Sequence, residues 1–324
     1  MILKPFELIY HLASEVKNNL YDNNWLPSKK LNVPVISIGN LSFGGTGKTP
    51  FIEFLANEFV SLKKVVIICR SYKANLKGPQ RIDLNLKNAV DLFGDEACLL
   101  QKNLPECKVW SGPQKYKTAI ASLVDQPSLI LVDDGFSHRQ LQRNFDIVLF
   151  DSSKLESEYY REKIKSLHRA HAIILTKVEP NYKDSVRKFA VALSEQFPAL
   201  ANSIFESQMN FECQVPSGSS VHAFCGIANP KSFLKTLVSL SYEIIGFDAF
   251  ADHQPYSEEL QIKILQRFES LKMKTPSLRL VTTEKDAVKL RNNSLVRQLS
   301  IVRYKVLMSP EDKVSLFEKI RSVI

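Results

Sequence analysis

The sequence predicts an α/β protein: a doubly wound, mostly parallel sheet followed by a second, smaller α/β unit. Three observations carry this expectation. Continuous apolar runs of strand length recur from Val33 onward, separated by stretches long enough for helices. A glycine-rich loop sits between one such run and an amphipathic helical pattern. A polar, turn-rich segment, Gln214 to Ser220, marks a boundary later in the chain.

A length of 324 residues suits one large domain and a smaller one. With 44% hydrophobic and 24% charged residues, the chain has material for an ordinary core and does not belong to the disordered class. The formal charge of +9 favours an anionic partner without choosing among nucleotide, phosphorylated substrate, acidic membrane surface and nucleic acid. The excess is sharpest between Lys63 and Ile82, where Lys63, Lys64, Arg70, Lys73, Lys77 and Arg81 occur before any acid. Five scattered cysteines with no C-x-x-C pair argue against a disulfide framework and a structural zinc site, and fit a reducing cytoplasm. No segment approaches the roughly 20 apolar residues of a membrane span.

Taken in order, the chain opens with Ile2, Phe6, Ile9, Ala13, Val16 and Leu20 on one helical face. This predicts an amphipathic helix within residues 1–24. Packing on the protein's own core and lying in a membrane interface both fit that stripe. Strands follow at Val33–Ile38, Val65–Ile68, Leu129–Val132, Ile147–Phe150 and Ala172–Leu175, giving a P-loop NTPase-type core over 25–210. Strands at Val221–Cys225, Glu243–Gly246 and Leu278–Thr282, with helices near Pro230–Leu240 and Ser257–Leu271, form the smaller unit, 211–324.

The most informative segment is Ser42-Phe43-Gly44-Gly45-Thr46-Gly47-Lys48-Thr49, between the first strand and a helix carrying Phe51, Leu55 and Phe59 on one side. Glycines let backbone N–H groups close around phosphate oxygens, and the helix N-terminus adds partial positive charge. Lys48 would reach the β- and γ-phosphates and the Thr49 hydroxyl would hold Mg²⁺. Ser42 stands where the general P-loop pattern has glycine. A second metal anchor is expected at the end of a neighbouring strand, and Asp133-Asp134 after Leu129–Val132 supplies it.

With these pieces the chain resembles the tetraacyldisaccharide 4′-kinase (lipid A 4′-kinase) family over nearly its whole length. The resemblance rests on Val33 to Asn40 leading into Gly44 to Pro50, on Gly94-Asp95-Glu96, and on Asp133-Asp134-Gly135-Phe136 ahead of His138-Arg139. It continues through Cys225-Gly226-Ile227, Asn229-Pro230, Asp252-His253 and Thr282-Thr283-Glu284-Lys285-Asp286, and the Ser42 start is itself the family's form of the loop. It implies transfer of the ATP γ-phosphate, with Mg²⁺, to the 4′-hydroxyl of a tetraacylated glucosamine disaccharide 1-phosphate. The product is the 4′-phosphorylated lipid A precursor. The resemblance also implies peripheral attachment to the cytoplasmic face of the bacterial inner membrane, and a C-terminal domain that closes over the site.

Carried over residue by residue, Asp95 takes the catalytic acid position and His253 its partner. Arg70, Tyr72, Lys115, His138, Arg161 and Glu162 fall at acceptor-binding positions. Departures occur at Ser71, where glycine is usual, at Lys115, where arginine is usual, and at Ser137, where glutamine is usual; no Gly-Pro-Leu precedes Arg161. The Thr282–Asp286 run reads as a structural turn rather than a catalytic one.

Two rival classes share the phosphate loop. Thr176-Lys177-Val178-Glu179 resembles the guanine reader of GTPases, with Glu179 one methylene longer than the usual Asp. A regulatory NTP-binding protein on a nucleic-acid surface suits the charge, but the sequence carries no recognised nucleic-acid module. Neither nucleic acid nor a protein partner is expected.

Overall fold

The computed structural model describes residues 16–23, 25–42, 45–70, 76–155, 160 and 162–324. Among the described residues the strands are β1 (Val35–Asn40), β2 (Val65–Arg70), β3 (Gln80–Arg81), β4 (Lys108–Gly112), β5 (Leu129–Asp133), β6 (Phe145–Asp151), β7 (Ala172–Thr176), β8 (Ile204–Glu206), β9 (Gln208–Glu212), β10 (Ser220–Cys225), β11 (Glu243–Ala249), β12 (Arg279–Thr283) and β13 (Leu299–Leu307). Helices are α1 (Lys48–Phe59), α2 (Ala89–Phe93), α3 (Asp95–Asn103), α4 (Lys115–Ala121), α5 (Lys183–Gln196), α6 (Pro230–Ser239), α7 (Glu258–Lys274), α8 (Glu284–Ala287), α9 (Asn293–Gln298) and α10 (Pro310–Arg321).

Eight strands form the first sheet in the order β3-β4-β2-β5-β1-β6-β7-β8, parallel throughout except for β3 on β4. β1 sits between β5 and β6, and all six of its residues are buried. Alternate residues of the central strands feed cores on opposite faces. Ile67, Leu131 and Ile147 enter one; Val66, Ile130 and Val132 enter another. Burial on both faces is why these strands read as continuous apolar runs instead of alternating ones.

The second sheet has the order β11-β10-β12-β13-β9, with β9 antiparallel to β13. Its helices are bounded by local chemistry. Ser257 caps α7 by accepting from the Leu260 N–H, with Glu258 and Glu259 in the first turn and Lys272 and Lys274 in the last. Asn229 caps α6 and Ser309 caps α10, each with proline opening the helix.

The two sheets divide the chain differently from the expected break at 210/211. β9, which starts at Gln208, already belongs to the second sheet. α10 returns to the first, where Phe317 packs on Phe54 and Phe59 of α1, with ring centroids 5.6 and 5.5 Å apart. Phe317 is 2% exposed, and burying a ring of that size contributes about 2–3 kcal/mol. Arg321 and Lys313 add ion pairs to Glu58.

Most of the N-terminal stripe, Ile2 to Ala13, lies outside the described residues. Residues 16–22 are helical, with Val16 59% exposed. Arg139 anchors this segment: its guanidinium donates to the Asn18 carbonyl, pairs with Asp22 at 2.6 Å and lies over the Tyr21 ring.

Candidate active site

β1 ends at Asn40 and α1 begins at Lys48, so the loop between them opens at the carboxyl end of the central strand. Gly47 caps α1 with φ +85°, a left-handed conformation that glycine adopts without strain. No side chain caps this helix and no acid occupies its first turn, so its leading N–H groups and positive dipole end face the loop. Lys48 donates to Asn40 Oδ1 at 3.0 Å and lies 3.7 Å from Asp134. Asn40 in turn donates to the Ser42 carbonyl. Thr49 is half-buried in the first turn of α1. From the far side, Lys177 donates to the Gly45 carbonyl at 2.6 Å while paired with the buried Asp151, and the Thr176 hydroxyl lies 2.9 Å from the Thr46 carbonyl. Phe43 and Gly44 lie outside the described residues.

The Asp133-Asp134-Gly135-Phe136 turn packs directly on β1. The Gly135 N–H donates to the Ile38 carbonyl, and a Cβ at Gly135 would fall 2.6 Å from Ser37 Cβ. A Cβ at Gly39 would meet Phe136 Cβ at 2.5 Å, so glycine at both positions lets the acid pair approach the loop. Burial pushes the Asp133 carboxyl up to about 6, against the pull of Lys115. Lys115, 2% exposed, donates to the Asp134 carbonyl and lies 4.0 Å from its carboxylate; burial lowers its ammonium despite both acids. Burial, reinforced by Lys115, drives His138 down to about 3, so its ring is neutral near pH 7.

Asp95 opens α3, and His253 comes from the second sheet's side of the molecule. His253 Nδ1 lies 2.8 Å from Asp95 Oδ2. Asp95 Oδ1 accepts the Glu96 N–H, while Lys289 and Lys285 approach Oδ2 at 3.6 and 4.0 Å. Burial raises the Asp95 carboxyl, but Lys285, His253 and Lys289 outweigh it and hold it below the usual carboxylate range. His253 has φ +59°, with its N–H donating to the Gly226 carbonyl. Glu96 links this corner to the loop: it pairs with Lys285 at 3.2 Å and its charge is felt by Asp133.

Lys48, Asp134, Lys115, Asp133, Asp95 and His253 therefore belong to one connected electrostatic cluster. Arg70 is the exposed last residue of β2. Glu162 is buried against Arg169 at 2.6 Å, and that guanidinium covers the Phe136 ring. Tyr72 and Arg161 lie outside the described residues. Sequence reasoning passed over Asn40, Asp151, Lys177, Lys285 and Lys289. Lys177 and Lys285 did lie in runs singled out for other reasons, the GTPase-like tetrapeptide and the Thr282–Asp286 turn.

Two buried polar atoms test whether the cluster suits a magnesium–nucleotide. Thr46 Oγ1 and Asp133 Oδ1 have no hydrogen-bond partner among the described residues. Unpaired buried oxygens at a helix N-terminus and a strand end fit phosphate and Mg²⁺. No group of three or more His, Cys, Asp or Glu among the described residues forms a metal cage. Mg²⁺ held by one or two protein oxygens and phosphates requires none.

A parallel sheet whose central strand feeds an anion-ready loop, with an acid pair beside it and an ionised Asp–His pair across from it, defines an ATP-dependent phosphotransferase of the P-loop class. Relatives narrow this. A sequence model described as tetraacyldisaccharide-1-P 4′-kinase matches residues 1–324, and the chain belongs to that family. It is 34% identical to the tetraacyldisaccharide 4′-kinase of Aquifex aeolicus, covering 96% of both chains. It is 35% identical to that of Pelodictyon phaeoclathratiforme, covering 88% of this chain and 85% of the relative. The crystal structure of LpxK from Aquifex aeolicus in complex with ATP superposes with a TM-score of 0.77 at 30% identity, covering 99% of this chain and 98% of that one.

Proposed function

We propose that the protein transfers the γ-phosphoryl group of ATP to the 4′-hydroxyl of a tetraacyldisaccharide 1-phosphate, the step that yields the 4′-phosphorylated lipid A precursor. The observation that carries the mechanism is the 2.8 Å contact between Asp95 and His253, made between the two sheets beside the phosphate loop. Bound ATP supplies the phosphoryl group, and Mg²⁺ offsets the charge on its phosphates.

The protein's part is positioning. The first N–H groups of α1 and Lys48 hold phosphate oxygens, and the Thr49 hydroxyl and Asp133, with Asp134 beside it, are the metal-facing oxygens. Lys177 and Thr176 fix the loop carbonyls so that its N–H groups point inward. Asp95 accepts a hydrogen bond from the acceptor hydroxyl and takes its proton as the new P–O bond forms. An ionised aspartate is a weak base, but in a loose transition state the proton leaves late and orientation dominates. His253 fixes the carboxylate plane. Arg70, Tyr72, Lys115, His138, Arg161 and Glu162 are the proposed surroundings of the acceptor, with the exposed Arg70 supplying a cation for its 1-phosphate.

The acylated substrate implies a membrane surface. We place the protein peripherally on the cytoplasmic face of the inner membrane, through its N-terminal stripe and the Lys63–Arg81 basic segment; anionic lipid attracts each surface cation by about 1 kcal/mol. Arg139, in the loop following Asp134, holds Asn18, Tyr21 and Asp22 of the N-terminal helical residues. Among the described residues no helix is long and apolar enough to cross a membrane. The second sheet, with its helices, acts as the lobe that closes over the site.

The test is ³²P transfer from γ-labelled ATP to purified tetraacyldisaccharide 1-phosphate, with Lys48→Ala as control. Label in the 4′-phosphate, with GTP a poor donor, is expected; no labelled product, or a strong preference for GTP, overturns the reading. Deleting residues 1–20 should reduce co-sedimentation with vesicles, and unchanged recovery would assign the stripe to the core.

A further inference from the structure

Lys289 follows α8 with a side chain only 6% exposed. Its ammonium lies 3.6 Å from Asp95 Oδ2 and 3.2 Å from Asp286 Oδ1, so it bridges carboxylates of the two sheets. Asp286 is itself fully buried and fixed: it accepts from the Gly226 N–H at 3.0 Å and the Thr283 hydroxyl at 2.7 Å. The same Gly226 receives the His253 N–H on its carbonyl. The Gly226 peptide thus links His253 to Asp286, the partner of Lys289. The Tyr256 ring, 5.7 Å from the ammonium, closes the remaining side.

A buried ammonium is costly unless paired, and Asp286, three residues away, already pairs it within its own lobe. The contact to Asp95 is additional and forms only across the interface. It also distributes the carboxylate's oxygens unequally. Oδ2 faces His253, Lys289 and Lys285, whereas Oδ1 accepts one backbone N–H. A carboxylate has about four lone-pair sites, which makes Oδ1 the oxygen with room for the acceptor hydroxyl.

We infer that Lys289 is a positioning residue for phosphoryl transfer, bridging Asp286 to Asp95 Oδ2 so that Asp95 stays ionised and presents Oδ1 to the acceptor. This rests on the reading of Asp95 as the group that receives the hydroxyl proton. The titratable groups facing Asp95 are Lys285, Lys289 and His253. Behind them stand Glu96, Asp252 and Asp286 as their partners, with the Cys98 thiol further along α3. Lys289 differs from Lys285 in exposure, 6% against 24%, and in its second partner, which is the buried Asp286 where Lys285 has the exposed Glu96.

The test compares Lys289→Met, Lys289→Arg, Asp95→Asn and the Asp95→Asn/Lys289→Met double variant in kcat, KM for ATP and the pH profile of kcat/KM. Removing one cation raises the Asp95 carboxyl, so the acid limb in Lys289→Met should move up by about one pH unit. We expect kcat to drop about tenfold with KM for ATP nearly unchanged, Lys289→Arg to restore most of the loss, and Lys289→Met to cost little more once Asp95 is Asn. An unmoved acid limb, an arginine variant no better than methionine, or an equal loss in the Asp95→Asn background would make Lys289 merely structural. Normal turnover by Asp95→Asn would instead remove Asp95 from the chemistry, and Lys289 with it.

Discussion

Asp133 and Asp95 are equally buried, each 8% exposed, yet their carboxyls move in opposite directions. Asp133 sits at the end of a first-sheet strand, where burial outweighs Lys115 and Lys48 and its Oδ1 has no hydrogen-bond partner among the described residues. Asp95 sits where the second sheet meets the first, and Lys285, His253 and Lys289 outweigh its burial. The comparison separates two kinds of preparation. The phosphate side keeps unmet polar demand that a cation and phosphates satisfy on arrival. In the proposed mechanism, Asp95 on the acceptor side has its demand met in advance and is oriented before the sugar binds.

If the two regions divide the work in this way, their variants should fail differently. The largest effect is expected for Asp95→Asn: kcat lower by about 10³-fold, with the ATP dissociation constant within roughly threefold of wild type. A parallel loss of ATP binding would show that the acceptor side is not independent of the nest. Lys48→Ala comes next. Removing a charged phosphate contact should weaken ATP by about 1.5–3 kcal/mol, measurable by calorimetry, and unchanged affinity would break the assignment of the nest. A smaller effect is expected from Lys177→Met, which releases the Gly45 carbonyl without touching the acceptor side. KM for ATP should rise about tenfold while the pH limb set by Asp95 stays in place.

The smallest effect probes the seam between the regions. Glu53 of α1 accepts from the Asn103 side chain of α3, which also donates to Glu284 of α8, both at 3.0 Å. Burial, with Glu284 nearby, raises Glu53 to about 7. An acid raised in the folded state favours folding while protonated, below its ordinary value near 4.5, and that contribution is lost as pH rises through about 7. Glu53→Gln should therefore stabilise the protein by about 2 kcal/mol at pH 8 and by almost nothing at pH 4, read from thermal midpoints. Equal stabilisation at both values would mean that the seam is not electrostatic.

The same contrast explains what was legible in the sequence. The nest is contiguous, and β1, β5, β6 and β7 are buried on both faces, so their apolar runs announced themselves within two residues of their true ends. β13 was not foreseen because only two of its nine residues are buried and its pattern, Leu-Ser-Ile-Val-Arg-Tyr-Lys-Val-Leu, mixes charge into the run. β9 alternates in the same way, which moved the start of the second sheet. Asp95 and His253 stand 158 positions apart, and only the family resemblance joined them before the fold did. Lys289 had no signal of its own: an isolated lysine after a turn looks like a solvated one, and its burial depends on how the two sheets dock. Asn40 and Lys177 lay in segments noticed for other reasons, but their action on loop carbonyls is recorded by no sequence pattern.

The return of α10 to the first sheet has a mechanical consequence. The chain passes from one sheet's territory to the other near Ser207 and comes back near Met308, so two strands of backbone join the lobes where a single linker would allow free rotation. Two attachment points define an axis, like the paired knuckles of a door. If the second sheet closes over the site as proposed, an opening that admits the acylated substrate would swing about the line between them and bring His253 back to Asp95 on closing.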